Sequence, residues 1–138
     1  MFNHRARIYL HHTDMTGRLF FANQFTLVHE AREYFLESLG FRQEDFLGHP
    51  CVTFPVVHAQ ADFKAVLKTA DVVDIAVWIE KIGETSVTFA FTLMKGGDLV
   101  GTSRTVNVTV DKRTGKKIPI PIEWRRLFKK GVRIVPSP

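Results

Sequence analysis

Only one stretch of this chain repeats its apolar residues at helical spacing, and almost everything after it alternates with the period of a β-strand. Phe21, Phe25, Val28, Phe35 and Leu39 recur at intervals of three, four and seven residues, broken by His29, Glu30, Arg32, Glu33 and Glu37. That is the pattern of a helix with one buried stripe. Gly40 follows as the expected C-cap, so the spacing predicts a single long helix over residues 22–39. Ahead of it, residues 5–10 read as a short strand with Ala6, Ile8 and Leu10 on one face. Beyond it, Val73, Ile75, Val77 and Ile79 alternate with Asp74, Ala76, Trp78 and Glu80 across residues 71–81, and Val87, Phe89, Phe91 and Leu93 alternate with polar or small neighbours across residues 85–94. The Lys95-Gly96-Gly97-Asp98 sequence between such runs is a hairpin signal. Residues 99–111 continue the alternation with Thr102, Arg104, Val106, Val108 and Val110 on one side, and residues 52–63 are mainly apolar, with Pro55 marking an edge or a bulge. Clean alternation implies an antiparallel sheet with one covered face. One helix and five to six strands satisfy each other in an α+β fold if the sheet curls around the helix.

A chain of 138 residues, 45% hydrophobic, is one domain with enough core to fold without staples. Its single cysteine, Cys51, forms no internal disulfide and has no second thiol with which to share zinc. The first residues have no leader-like run and no apolar stretch is long enough to span a bilayer, so a cytoplasmic protein with no membrane insertion is expected. The net charge of +5 is uneven: residues 112–138 hold nine Lys/Arg against Glu123 alone, while the remainder is mildly acidic. Together with Pro119, Pro121, Pro136 and Pro138, this divides the chain into a folded domain over 1–121 and a loosely held basic tail over 122–138. A basic segment attracts polyanions, but Trp124 and Phe128 are its only aromatic rings, too few for a nucleic-acid stacking platform. No nucleic-acid partner is expected.

The chain has no phosphate-binding glycine loop, no nucleophile elbow and no histidine spacing suited to metal; no metal site is expected. Asp14 remains. An acid in a turn between a strand and a helix is commonly a turn residue. Here it precedes Gly17 and an aromatic helix entry of Phe20, Phe21 and Phe25. A helix start offers unpaired amides that stabilise developing negative charge on a carbonyl oxygen, and a carboxylate beside it is placed to attack that carbonyl or activate water.

His12-Thr13-Asp14-Met15-Thr16-Gly17-Arg18-Leu19-Phe20-Phe21-Ala22-Asn23, followed by Glu30-Ala31-Arg32, resembles the signature of the hotdog-fold 4-hydroxybenzoyl-CoA thioesterase family. Asp71, Gly83, Ser86, Gly101, Asp111 and Pro119 extend the resemblance over roughly residues 5–121. Within the family, Asn23-Gln24-Phe25, His29-Glu30-Ala31 and residues 54–59 look most like the 1,4-dihydroxy-2-naphthoyl-CoA thioesterases of quinone biosynthesis. Two positions depart from the pattern: His12 replaces the first motif aspartate, a change expected to alter how Asp14 is oriented, and Val66 replaces a proline ahead of the third strand.

The resemblance implies an acyl-CoA thioesterase with no separate cofactor, coenzyme A arriving as part of the substrate. Asp14 would be nucleophile or general base, and the Phe21 amide would polarise the thioester. His58 and Glu30 are further catalytic candidates, with half-buried strand and helix-surface roles as their bland readings. Lys64, Lys68, Lys81, Arg104, Lys112 and Arg113 are candidates for the coenzyme A phosphates. A homodimer or homotetramer is expected. The competing readings are a thioesterase for short-chain or 4-hydroxybenzoyl thioesters, a dehydratase built on a histidine–acid pair, and a polyanion-binding module using the basic tail.

Overall fold

The computed structural model describes residues 1–133. Strand β1 (Phe2–Arg7) leads through a 3-10 turn at Leu10–His12 to helix α1 (Asn23–Ser38) and the short helix α2 (Gln43–Leu47). Then come β2 (Val52–Thr53), β3 (Val56–Phe63), β4 (Val72–Ile82), β5 (Ser86–Lys95), β6 (Asp98–Val108), β7 (Val110–Asp111) and helix α3 (Ile122–Lys129). The main sheet is antiparallel in the order β1-β4-β5-β6-β3, and β2 pairs separately with β7. This is the predicted curved sheet around a long helix, with two differences at residues that read as continuous strands. Pro55 interrupts the ladder between β2 and β3, and Thr109 separates β6 from β7. The Gly96-Gly97 turn is tight because both residues have positive φ, at 56° and 87°.

The core follows from register. Ile75, Val77 and Ile79 sit opposite Leu93, Phe91 and Phe89, and all six are buried. They belong to the same core as Leu27, Val28, Ala31 and Phe35 of α1, with Phe35 meeting Phe89 edge to face. Strand β6 differs. Its residues opposite Leu93, Phe91, Phe89 and Val87 are Gly101, Ser103, Thr105 and Asn107, small or polar and all buried. Val106 therefore lies on the far face, whereas Val100, at the register shift between Leu93 and Met94, joins the core. The polar inner row receives two buried polar side chains of α1. Gln24 donates to the Thr102 carbonyl and Ser103 Oγ, both at 3.1 Å, and Arg32 bonds Asn107 Oδ1. Gly101 leaves the space that Gln24 fills: a Cβ there would lie 2.8 Å from Gln24 Oε1.

The expected boundary at residue 121 is corrected. Residues 122–129 form α3, whose Trp124 and Phe128 are buried in the core, their ring centroids each 5.0 Å from that of Phe41. After α3 the chain pairs with β4, Ile79 N–H donating to Gly131 O and Arg133 N–H donating to Ile79 O, both at 2.9 Å. The segment extends the sheet edge just past the point where β1 pairs with Val77. The prolines alone suggest loose chain. Instead Pro121 caps a helix whose apolar residues are spaced by four, while Arg126 and Lys129 face solvent. Pro136 and Pro138 lie outside the described residues. Among the described residues no helix is long and apolar enough to cross a membrane.

Candidate active site

The loop carrying Asp14 is fixed by backbone bonds at both ends. Asp14 N–H donates to Arg18 O at 2.9 Å and Gly17 N–H returns to Asp14 O at 3.0 Å, with Gly17 at φ 77°. The turn is tied to the helix entry because Phe20 N–H and the Asn23 side-chain amide both donate to His12 O, at 3.0 and 2.8 Å. It is tied to the strand side by Leu19 N–H donating to Leu67 O at 2.8 Å. Helix α1 is held in turn by Gln24 against β6. Carboxylate loop, helix start and β6 thus form one hydrogen-bonded frame.

Within that frame the Asp14 carboxylate is exposed. Thr16 donates to its Oδ1 twice, from the hydroxyl at 2.5 Å and the backbone N–H at 2.8 Å. The Thr16 hydroxyl, then the Thr16 amide, lower the Asp14 pKa from its ordinary value, so the group is anionic near neutral pH. Both contacts use Oδ1, which leaves Oδ2 for a reacting group. Asp14 and Phe21 line the same crevice, about 250 Å³, together with Arg18, Gln24, Phe63 and Val66. Asn23 N–H already donates to Phe20 O at 2.8 Å, whereas the Phe21 and Ala22 amides have no acceptor among the described residues. The crevice thus brings together the Asp14 carboxylate and Phe21, whose N–H is free to donate to a carbonyl oxygen.

The other expected residues fall elsewhere. His12 is buried, its Nδ1 accepting from Tyr9 N–H at 3.0 Å, and burial, reinforced by neighbouring His11, lowers its pKa. Its ring does not hold Asp14; Thr16 does. Glu30 lines a different cavity, of about 430 Å³, with His4, Tyr9, His11 and Tyr34. His58 lies opposite Val106 on the face of the sheet turned away from α1, its Nε2 3.1 Å from Gln60 Oε1. Neither reaches the Asp14 crevice within one chain. Lys64 and Lys68 flank the crevice on the segment between β3 and β4. Arg104 forms a two-pronged pair with Glu80 on the outer face, Lys112 Nζ donates to His49 O, and Arg113 stands 4.0 Å from Asp111. Lys81 lies on β4 at the register shift after Ile79. Arg18 also lines the crevice beside Asp14, although its place in the sequence, between Gly17 and the aromatic pair, gives it no signal of its own.

A five-stranded antiparallel sheet sharing its core with one long helix, with an acid on the crevice at the helix start, has the architecture of a hotdog-fold protein of the thioesterase type. A family model for the Thioesterase-like superfamily matches residues 8–128, and the chain belongs to that superfamily. It is 30% identical over 126 residues to a 1,4-dihydroxy-2-naphthoyl-CoA hydrolase from Nostoc punctiforme, covering 89% of this chain and 85% of that one. Among solved structures, a gentisyl-coenzyme A thioesterase aligns with a TM-score of 0.81 at 28% identity, covering 91% of this chain and 98% of the other. A 1,4-dihydroxy-2-naphthoyl-CoA thioesterase from Synechocystis aligns with a TM-score of 0.87 at 23% identity over 93% and 95% of the two chains; at that identity the likeness speaks for the fold.

Proposed function

We propose that this protein hydrolyses an aromatic acyl-CoA thioester, of the 1,4-dihydroxy-2-naphthoyl type, to a free acid and coenzyme A. The observation that carries the reading is the pairing of the anionic Asp14 with the free Phe21 amide in one crevice. In the general-base form, Asp14 takes a proton from water, the resulting hydroxide adds to the thioester carbon, and the oxyanion is held by the Phe21 N–H. The C–S bond then breaks and the thiolate leaves with a proton. In the nucleophilic form Oδ2 attacks the carbon itself, the C–S bond breaks to expel the coenzyme A thiolate, and water hydrolyses the mixed anhydride to release the acid and restore Asp14. The exposed rings of Phe21 and Phe63, 6.4 Å apart and edge to face, favour a flat aromatic acyl group over a short aliphatic one. Lys64, Lys68 and Arg18 supply positive charge for the phosphates. The proposed setting is the cytoplasm.

The same reading extends to assembly. Strand β3 is a sheet edge, exposed along nearly its whole length, with Val57 54% and Phe63 53% exposed. A long apolar edge with a free ladder invites a second strand, and we propose that β3 pairs with β3 of another copy in a dimer or a dimer of dimers. Phe63 and Val66 line the crevice beside this edge, so the second copy would help to close it. Thiol release from a panel of aromatic and short-chain acyl-CoAs tests the substrate class. The expected result is the highest kcat/KM on a two-ring aromatic thioester. A uniform absence of turnover, or a preference for acetyl-CoA, would overturn it.

A further inference from the structure

Arg32 is a buried cation that makes no ion pair among the described residues, the neighbouring Glu33 acting on it only at longer range. The residue is 9% exposed, and no carboxylate lies within ion-pair distance of it among the described residues. Its guanidinium bonds the neutral Asn107 Oδ1, whose own amide is committed to Phe54 O at 3.0 Å, and its Cζ lies 5.3 Å from the centre of the Phe89 ring. A second nitrogen stands 3.4 Å from His29 Nδ1, and Nε has no hydrogen-bond partner among the described residues. Burial pushes the Arg32 pKa down to about 10, so it stays charged near neutrality. A buried charge normally keeps a partner, because an uncompensated charge out of water is strongly destabilising.

Beside Arg32 lies a cavity of about 230 Å³ between α1 and α2, with Arg32, His29 and Gln43 on its polar side and Leu36, Phe41 and Phe46 on its apolar side. None of these residues lines the Asp14 crevice. Arginine only donates, so His29 Nδ1 is the acceptor in their contact and its Nε2–H remains a donor. Glu33, bonded by the Gln43 amide, lies at the same cavity and disfavours any ligand of higher negative charge. We propose that this cavity is a second ligand site, for a small monocarboxylate with an apolar body, whose carboxylate pairs with Arg32 while its ring or chain packs among Leu36, Phe41 and Phe46. The site stands apart from the thioesterase reading and requires no turnover.

The test is a titration of the ¹⁵N-labelled full chain with benzoate, and with benzamide as the neutral isostere, following the Arg32 Nε–H resonance and the indole N–H of Trp124, which packs on Phe41. Benzoate is expected to move both resonances saturably and to bind about tenfold or more tighter than benzamide, roughly 1.4 kcal/mol or more. Leu47→Glu places a second negative charge on an exposed residue of the cavity mouth and is expected to weaken benzoate at least tenfold. Asp14→Asn is expected to leave benzoate binding unchanged, which separates this site from the hydrolytic one. Equal binding of acid and amide, an unaffected Leu47→Glu variant, or no saturable shift in the millimolar range would overturn the proposal. So would shifts confined to the Thr16 and Phe21 amides, which would place the acid in the Asp14 crevice.

Discussion

Replacing Gly101 with alanine tests whether β6 positions the helix start that the proposed chemistry uses. The added Cβ would lie 2.8 Å from Gln24 Oε1, 3.1 Å from Gln24 Nε2 and 3.2 Å from Asp62 O. Gln24 is 2% exposed and bonded to β6 through its amide, so it cannot swing into solvent without losing those bonds. Overpacking of this kind costs about 1–3 kcal/mol, which for a domain of this size lowers Tm by about 3–12 °C at fixed protein concentration. Phe21 stands three residues ahead of Gln24, so the same displacement moves its amide. A shift of about 1 Å at a reacting group costs up to 100-fold in rate, and kcat is expected to fall roughly 10- to 100-fold in a still-folded protein. Differential scanning calorimetry and thiol-release kinetics on the same preparation read both effects. A Gly101→Ala variant with wild-type Tm and kcat would refute the argument that this close contact sets the helix position.

Phe128→Ala, at a fully buried residue packed on Phe41 and Phe54, is expected to lose about 3–5 kcal/mol in urea unfolding, whereas a loosely held tail would cost under about 0.5 kcal/mol. Thr16→Ala removes the hydroxyl that does most to depress the Asp14 pKa. Because the reaction needs the carboxylate, activity is present above the Asp14 pKa and lost as pH falls through it, and the acid limb of kcat/KM is expected to move to higher pH in the variant. An unmoved limb would separate Thr16 from the titrating group. Lys68→Gln is expected to raise KM for acyl-CoA about two- to fivefold with kcat unchanged, and Arg104→Gln to leave KM alone because its guanidinium is engaged by Glu80 on the outer face.

The architecture was legible wherever periodicity is strong. The helix over Asn23–Ser38, the Gly96-Gly97 hairpin and the alternating strands β4 and β5 lie within one or two residues of where their spacing put them. Helix α3 was hidden because four charged residues and flanking prolines dominate its composition, and only the four-residue spacing of Trp124 and Phe128 betrays a buried face. The polar lining of β6 was equally opaque: Ser103 and Asn107 look solvent-facing until α1 brings Gln24 and Arg32 against them. Asp14 and Phe21 stood out by motif, and the structure places both on one crevice. His58 and Glu30 show the limit of position-by-position carry-over, since which sheet face or helix side a residue occupies depends on register and on the β3 bulge, neither of which is written in local spacing.

The central claim, that the carboxylate at position 14 does the chemistry, is tested most directly by kcat of Asp14→Asn on an aromatic acyl-CoA, measured by release of free thiol. The isosteric amide keeps the turn but removes the base or nucleophile, and kcat is expected to fall by about 100- to 10,000-fold with a KM close to wild type. A folded Asp14→Asn protein that turns over at the wild-type rate would contradict the account.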